Sequence, residues 1–364
     1  MKINGIPYRT IWLNGDGWSL TVIDQTLLPF RFETRALVSL NDAANAIRQM
    51  IVRGAPLIGV TAAYGVCLAI REDASDDALE AAYNVLLETR PTAVNLRWAL
   101  DEMMAALRNV PRAERPAAAY RRAAQLADED VDTNRRIGLA GLSLIEQAAA
   151  RRNGQTVRVL THCNAGWLGC VDWGTALAPL YMAHDKGIAL HVWVDETRPR
   201  NQGAALTAFE LGGHGIAHSV ISDNAGGHYM QAGEVDLCIV GADRVTSTGD
   251  AANKIGTYLK ALAAHDNNVP FYVAVPSPTI DWRMSDGVRD IPIEERSPTE
   301  VTHMTGMTEA GAVETIRVAA PGSSARNPGF DVTPARLITG VITERGVAAA
   351  SREGLLSLFP ERKA

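Results

Sequence analysis

Five stretches of this chain rise as short apolar runs and stop on a polar or reactive residue or a proline: VRVLTHC at Cys163, HVWVDE at Glu196, HSVISD at Asp223, DLCIVGAD at Asp243 and PFYVAVP at Pro276. Runs this short, separated by segments with room for a helix, are the pattern of βαβ crossovers, which build a parallel sheet covered by helices. Few other architectures accept it. In open sheets of that kind ligands bind beyond the carboxyl ends of the strands, so the stopping points mark the rim of a site.

The rest of the chain reads differently. The first fifty residues mix strand-like runs (RTIWL, SLTVIDQ) with Gly and Asp turn signals before NDAANAIRQMIV takes up helical spacing. From Asp76 to Ala150 the chain is rich in Ala, Leu, Arg and Glu at helical periodicity, punctuated at Pro91, Pro111 and Pro116, where helices should end or begin. A helix such as 130–151 leads into the first strand at RRNGQTVRVL. The expected fold is therefore α/β: a small N-terminal sheet plus helical domain over residues 1–130, followed by a parallel-sheet domain over 131–364. The tail from Ser285 carries turn signals (DGVRDIP, APGSSARNPGFDVTP) before a last strand-like run, LITGVITERGV. With 364 residues, 47% of them apolar, each part has enough material for a core.

Several classes drop out. A net charge of −6, spread along the chain, gives no reason to expect nucleic acid or an anionic membrane as partner. MKINGIPYRTIWLNGDG lacks the basic start and apolar core of a secretory leader, and no apolar stretch is expected to span a bilayer. Cys67, Cys163, Cys170 and Cys238 are too few and too scattered for a disulfide framework or a CxxC zinc site, which points to a reducing cytoplasm. GxxxxGK[ST], HExxH and GxSxG are absent. Gly212, Gly213 and Gly215 fall where a helix should terminate, not in a dinucleotide loop.

The strand ends supply the candidate chemistry. Cys163 sits at a strand mouth before Asn164, Ala165 and Gly166, small or turn-forming residues; it is either a thiol partly activated by a following helix start or a small buried hydrophobe. Asp243, closing an apolar run, is either an acid/base group or a turn cap. Together they make a pair for proton transfer. Anion-binding donors cluster at three places: Arg53 and Gly54 before Pro56, Arg90 before Pro91 and Thr92, and Asn253 with Lys254, read as opening a helix. These point to a phosphate-bearing substrate. Gln202 and Gly203 begin a helix and either bond a sugar hydroxyl or cap it. Asp195 and Glu196 are read as holding their loop through Arg198 or Arg200, and His162 and His228 as structural.

Taken together, RGAPLIGVTAAYG, RPTAVNL, THCNAG, VDETRPRNQGAALTAFEL, GADRVTSTGDAANKIGTY, IPIEERSPTEV and NPGFDVTPARLITGVITE resemble the methylthioribose-1-phosphate isomerase family, related to the regulatory subunits of the guanine-nucleotide exchange factor of translation initiation. The resemblance runs from about Ile47 to Val347. It implies a Rossmann-like C-terminal domain, a homodimer, and no metal or organic cofactor. It also implies that Cys163 and Asp243 are the catalytic pair, and that Arg53, Gly54, Ala55, Arg90, Gln202, Asn253 and Lys254 contact the substrate. The implied reaction turns 5-methylthioribose 1-phosphate into 5-methylthioribulose 1-phosphate in methionine salvage, with Asp243, neutral in an apolar pocket, as the acid. The chain departs from the family pattern at Trp167, Cys170 and Trp173 and at Gly226 and Gly227, all expected near the 5-position of the sugar. That leaves 5-deoxyribose 1-phosphate as an alternative substrate. Ribose 1,5-bisphosphate would need a further cationic cluster, and a non-catalytic regulatory subunit would be expected to lose the Cys and Asp pair.

Overall fold

The computed structural model describes residues 1–3, 5–90 and 93–363; the expected helix punctuation at Pro91 and Thr92 lies outside them. Near its start the chain forms an antiparallel meander, Ile11–Leu13, Leu20–Ile23 and Thr34–Leu37. A run of helices comes next: α1 (Leu40–Arg48), α2 (Ala55–Glu72), α3 (Asp76–Leu87), α4 (Val94–Leu107) and α5 (Arg115–Arg151). Their starts obey the local chemistry of the sequence. Ser39 caps α1 by accepting from Asp42 N, Ser75 caps α3 by accepting from Ala78 N, and Pro56 and Pro116 occupy the first turns of α2 and α5.

Helix α2 is the one element, among the described residues, that by length and composition is apolar enough to cross a membrane. This departs from the expectation that no stretch would reach that length. Its apolar surface is spent inside the protein, where Leu57, Val60, Ala63, Val66, Leu68 and Ile70 join a core with α1, α3, α4 and the first half of α5. Helix α5, at 37 residues, is about 55 Å long. Ala119, Ala123 and Leu126 belong to that helical core, whereas Ile137, Leu142 and Ile145 pack against the large sheet. The position expected to divide the chain, 130/131, falls within this helix.

The large sheet has seven strands: β1 (Val157–Thr161), β2 (Leu190–Asp195), β3 (His218–Ile221), β4 (Leu237–Val240), β5 (Phe271–Ala274), β6 (Gly340–Thr343) and β7 (Gly346–Ala348). Their order is β3-β2-β1-β4-β5-β6-β7, parallel throughout except for the β6–β7 hairpin at the edge. This is the doubly wound Rossmann order, with the switch point between β1 and β4. Residues alternate between the faces. Val157, Val159, Leu237 and Ile239 enter the core beneath α5 and α6 (Ala178–Asp185). Leu160, Cys238, Val240 and Val273 enter the core beneath α8 (Ala225–Gln231) and α9 (Thr257–Asp266), with α7 (Ala208–His214) covering the other face. Burial on both faces is why these strands read as unbroken apolar runs.

After β4 the chain makes an antiparallel hairpin, Arg244–Thr246 with Ala251–Lys254, and the second arm also pairs with Phe330–Thr333. Asn253 and Lys254 therefore lie on a strand and do not open a helix. Helix α9 starts only at Thr257, behind the left-handed Gly256. The AANK segment, half alanine, is helix-compatible alone, but pairing on both sides overrides that preference.

Candidate active site

Because β1 and β4 are adjacent at the switch point, the segments leaving them meet. A cavity of about 70 Å³ lies there, and its lining includes Cys163, Asp243, Arg53, Gly54, Ala55, Arg90, Gln202, Asn253 and Lys254. All nine residues singled out from the sequence thus face one space. It adjoins a larger cleft of about 700 Å³, formed by residues 25–31, the segment after β2 and the hairpin His303–Met307/Val313–Arg317. Met50, Arg53 and Gln202 line both.

The thiol is held in an uncommon backbone conformation. Cys163 has φ +66, in the left-handed region that non-glycine residues seldom occupy. Its N–H donates to Thr197 Oγ1 at 2.8 Å, and Thr207 Oγ1 donates to its carbonyl at 2.7 Å. Two hydroxyls thereby over-determine the geometry, the arrangement in which strain persists at functional sites. The Sγ donates to Gln202 Oε1 at 3.5 Å. The residue is 5% exposed, and burial pushes its thiol pKa up, against the opposing pull of Arg53 and Lys254. A helix start does not activate it, contrary to one sequence expectation: beyond Cys163 the chain continues as a loop and the single 3₁₀ turn Trp167–Gly169.

Arg53 is oriented through Asn164. Its Nη1 donates to Asn164 Oδ1, its Nη2 to Asn164 O at 2.7 Å, and its buried Nε has no partner among the described residues. Asn164 Nδ2 in turn donates to Glu210 Oε1 at 3.0 Å. Glu210, on α7 and 3% exposed, also accepts from Trp167 N at 3.0 Å, Leu168 N at 2.9 Å and Tyr181 OH at 2.5 Å. The next residue after Arg53, Gly54, has φ +91, and a Cβ there would lie 2.3 Å from Gly169 O, so only glycine brings the start of α2 this close to the cysteine loop.

Arg90 reaches Glu294 at 3.3 Å, and its Nε is likewise buried without a partner among the described residues. Glu294 pairs with Arg296 at 2.9 Å, Arg296 with Glu300 at 2.8 Å, and Glu300 with Arg200 at 3.0 Å. This is the role of the IPIEERSPTEV segment: its alternating charges brace the cavity's arginine. Lys254 donates to Gly329 O at 3.1 Å and lies 4.5 Å from the Phe330 ring centre. Burial lowers its pKa, Cys163 and Asp243 pull it back up, and Arg296 and Arg90 add to the lowering. These five groups share one electrostatic environment. Asn253 Nδ2 donates to Thr257 Oγ1 at 3.1 Å. Asp243 is half-buried, less enclosed than the sequence reading expects, and its backbone N–H donates to Ala252 O at 2.9 Å.

Other expectations need correction. Trp167 and Trp173 line neither cavity, and only Cys170 of that trio does. Gly226 and Gly227 lie on α8 and pack against Lys260 and Ala263 of α9, away from both spaces. Asp195 does not hold its loop through Arg198 or Arg200; its partners are His162 at 2.8 Å and Lys260 at 3.3 Å. His162, Asp195 and Asp223 are the grouping with metal-ligand chemistry among the described residues. The Lys260 ammonium already supplies the cation there. Asn164, Glu210, Glu294 and Arg296 were not singled out from the sequence; the available signal was a carboxylate within an apolar helical stretch, TAFEL, which must find donors.

Residues 51–350 match the model of the initiation factor 2 subunit family. A methylthioribose-1-phosphate isomerase of Methylorubrum populi is 64% identical over 363 residues, covering 100% of this chain and 99% of the relative. One from Paramagnetospirillum magneticum is 65% identical over 362 residues, covering 100% of both. Among solved structures, 5-methylthioribose 1-phosphate isomerase from Pyrococcus horikoshii superposes with a TM-score of 0.83 at 39% identity, covering 98% of this chain and 96% of that one. The eIF-2B delta subunit from A. fulgidus gives 0.79 at 37% identity, covering 97% and 100%.

Proposed function

The chain belongs to the initiation factor 2 subunit family, and we propose that the Cys163–Asp243 cavity is where it carries out the chemistry of its isomerase relatives. The activity is an aldose–ketose isomerisation of 5-methylthioribose 1-phosphate to 5-methylthioribulose 1-phosphate. The observation that supports this site most strongly is the shared lining: the Cys163 thiol, the Asp243 carboxylate, three cationic side chains and three amides around a single space.

The C1 phosphate is held by Arg53, Arg90 and Lys254 at the start of α2, whose first N–H groups point outward. Phosphate on the anomeric oxygen blocks spontaneous opening to an aldehyde, so the C1 to ring-oxygen bond must break under acid assistance. Asp243 delivers that proton to the ring oxygen. Hydrogen then passes from C2 to C1 by one of two balanced routes. In the first, Cys163 as thiolate takes the C2 proton, an enol phosphate forms, and C1 is reprotonated as the O2 proton leaves. In the second, the C2 hydrogen migrates with its electron pair to C1 while O2 loses its proton, and Cys163 only shields the migrating hydrogen. Sites for ligands of this size enclose about 300–1,000 Å³, so the inner cavity takes the phosphate and reacting carbons. The 5-substituent passes Met50 and Gln202 into the larger cleft. Sharing of these residues between the two spaces supports that direction.

The protein works as a cytoplasmic homodimer in methionine salvage on this reading. The test is ketose formation from 5-methylthioribose 1-phosphate, with 5-deoxyribose 1-phosphate and ribose 1,5-bisphosphate as competitors. Cys163→Ser and Asp243→Asn are each expected to lose turnover by about 10²-fold or more; full turnover in both would refute the site. Deuterium from labelled water at C1 identifies the first route, and its absence the second or a base shielded from solvent.

A further inference from the structure

The imidazole of His162, directly before Cys163, is fully enclosed between two elements of the site. Its Nδ1 lies 2.8 Å from Asp195 Oδ2 at the end of β2, and its Nε2 lies 2.9 Å from Ile255 O. A carbonyl oxygen only accepts, so Nε2 carries hydrogen and donates. Lys260 of α9 reaches the same Asp195 oxygen at 3.3 Å and also donates to Asp223 O. The Asp223 carboxylate, 4.0 Å from Nδ1, accepts from Thr197 N and Arg198 N at 2.7 Å each. Asp331, which interacts electrostatically with His162, accepts from Gly256 N at 2.7 Å and Tyr258 N at 3.1 Å. The far end of this chain of contacts, Ile255, comes directly after Asn253 and Lys254. Gly256, at φ +103, passes so close to the ring that a Cβ there would lie 3.0 Å from Cε1.

We propose that His162 is a positioning residue, whose Nε2–H on Ile255 O sets the Asn253–Gly256 segment at a fixed distance from the Cys163 strand. Side chains that pack for stability alone need no directed bond across the site. This one joins the residue before the thiol to the residue after the phosphate-binding lysine. The role rests on the reading of Asn253 and Lys254 as substrate contacts. Loosening the bond lets the phosphate contacts drift while the thiol and carboxylate stay in place. The loss then falls on ground-state and transition-state binding alike, and so on KM and not on kcat.

The test uses the full chain, with kcat and KM for 5-methylthioribose 1-phosphate and the inhibition constant of inorganic phosphate. His162→Gln keeps an N–H near the Nε2 position, and His162→Asn keeps one only near Nδ1. The asparagine variant is expected to raise KM and the phosphate constant about tenfold with kcat within about twofold, and the glutamine variant to recover most of that. Equal constants in the two variants, or a change confined to the thermal midpoint, overturn the proposal. Should His162→Asn fail to fold, Gly256→Ala pushes the same segment off the ring without touching Asp195; it must raise the phosphate constant, and an unchanged value overturns the proposal. Lys254→Ala separates the two readings. If it leaves phosphate binding intact, the site reading fails; if it weakens binding and His162→Asn does not, positioning alone fails.

Discussion

Glu210 is the buried charge whose removal gives the most informative result. Burial raises its pKa, while bonds from Tyr181, Asn164 and Leu168 favour the ionised form. Oε1 accepts from Asn164 Nδ2 and Leu168 N, and Oε2 from Trp167 N and Tyr181 OH. In Glu210→Gln, the amide nitrogen settles at the Oε2 position, because the Tyr181 hydroxyl can turn to accept from it. Only Trp167 N–H is then left facing another donor, at about 1–3 kcal/mol for one unsatisfied buried group. Glu210→Leu removes every acceptor and strands three buried donors, Trp167 N, Leu168 N and the Tyr181 hydroxyl, for about 3–9 kcal/mol. Against a total stability of about 5–15 kcal/mol, the second is a large share. The expected series in urea unfolding is wild type, then Gln lower by about 2 kcal/mol, then Leu lower by about 5 kcal/mol. In the leucine variant Asn164 also loses the bond that aims it at Arg53, so KM should rise there and stay near the wild-type value in the glutamine variant. A leucine variant within about 0.5 kcal/mol of wild type would show that these donors find other partners, and the argument would fail.

Gly54→Ala combines a left-handed φ with a 2.3 Å approach to Gly169 O, and should cost at least about 2 kcal/mol in thermal or urea unfolding; a neutral result would mean that the α2 start can shift. Because burial raises the Cys163 pKa, alkylation by iodoacetamide should be slow at about pH 8 and still rising beyond the range of a free thiol. Lys254→Met, which removes an opposing cation, should slow it further at each pH, and a plateau below about pH 8 would contradict this. Burial alone would raise the Glu300 pKa, but Arg296, Arg200 and Asn327 hold it down to about 2 from 4.5. A depressed carboxyl stabilises the fold above its unfolded pKa. Its contribution should therefore be complete above about pH 4.5 and disappear as pH falls toward about 2, and Glu300→Gln should flatten that acid limb.

The strands of the large sheet were legible because burial on both faces leaves an unbroken apolar run, and their ends were legible because each run stops on a polar residue or proline. Cys163, Asp243 and Gln202 could be picked because parallel strands in Rossmann order deliver their carboxyl ends to one edge, whereas Arg53, Gly54 and Arg90 stand out as donors before prolines in the helical part. The parts that stayed hidden depend on partners distant in sequence. Ala251–Lys254 is a strand only because it pairs with Arg244–Thr246 and Phe330–Thr333. Asp195 had two arginines nearby in sequence, yet His162 and Lys260 claim it. Glu210 collects donors from the cysteine loop and α6, which no local pattern records. The apolar length of α2 is hard to see in the sequence because its small residues, Ala, Gly and Thr, dilute the signal that a run of leucines would give.

The hairpin after β4 governs how the chemistry responds to movement. Asp243 stands at the foot of one arm and Lys254 at the end of the other, and the register Arg244↔Ala252 and Val245↔Ala251 locks the arms together. Beyond Ala252, Asn253 and Lys254 pair instead with Asp331 and Phe330, so the anion clamp is registered to a different strand from the proton donor. A displacement of that outer strand shifts the lysine and leaves the carboxyl group and the sulfur where they are, so recognition can be tuned without redesigning turnover.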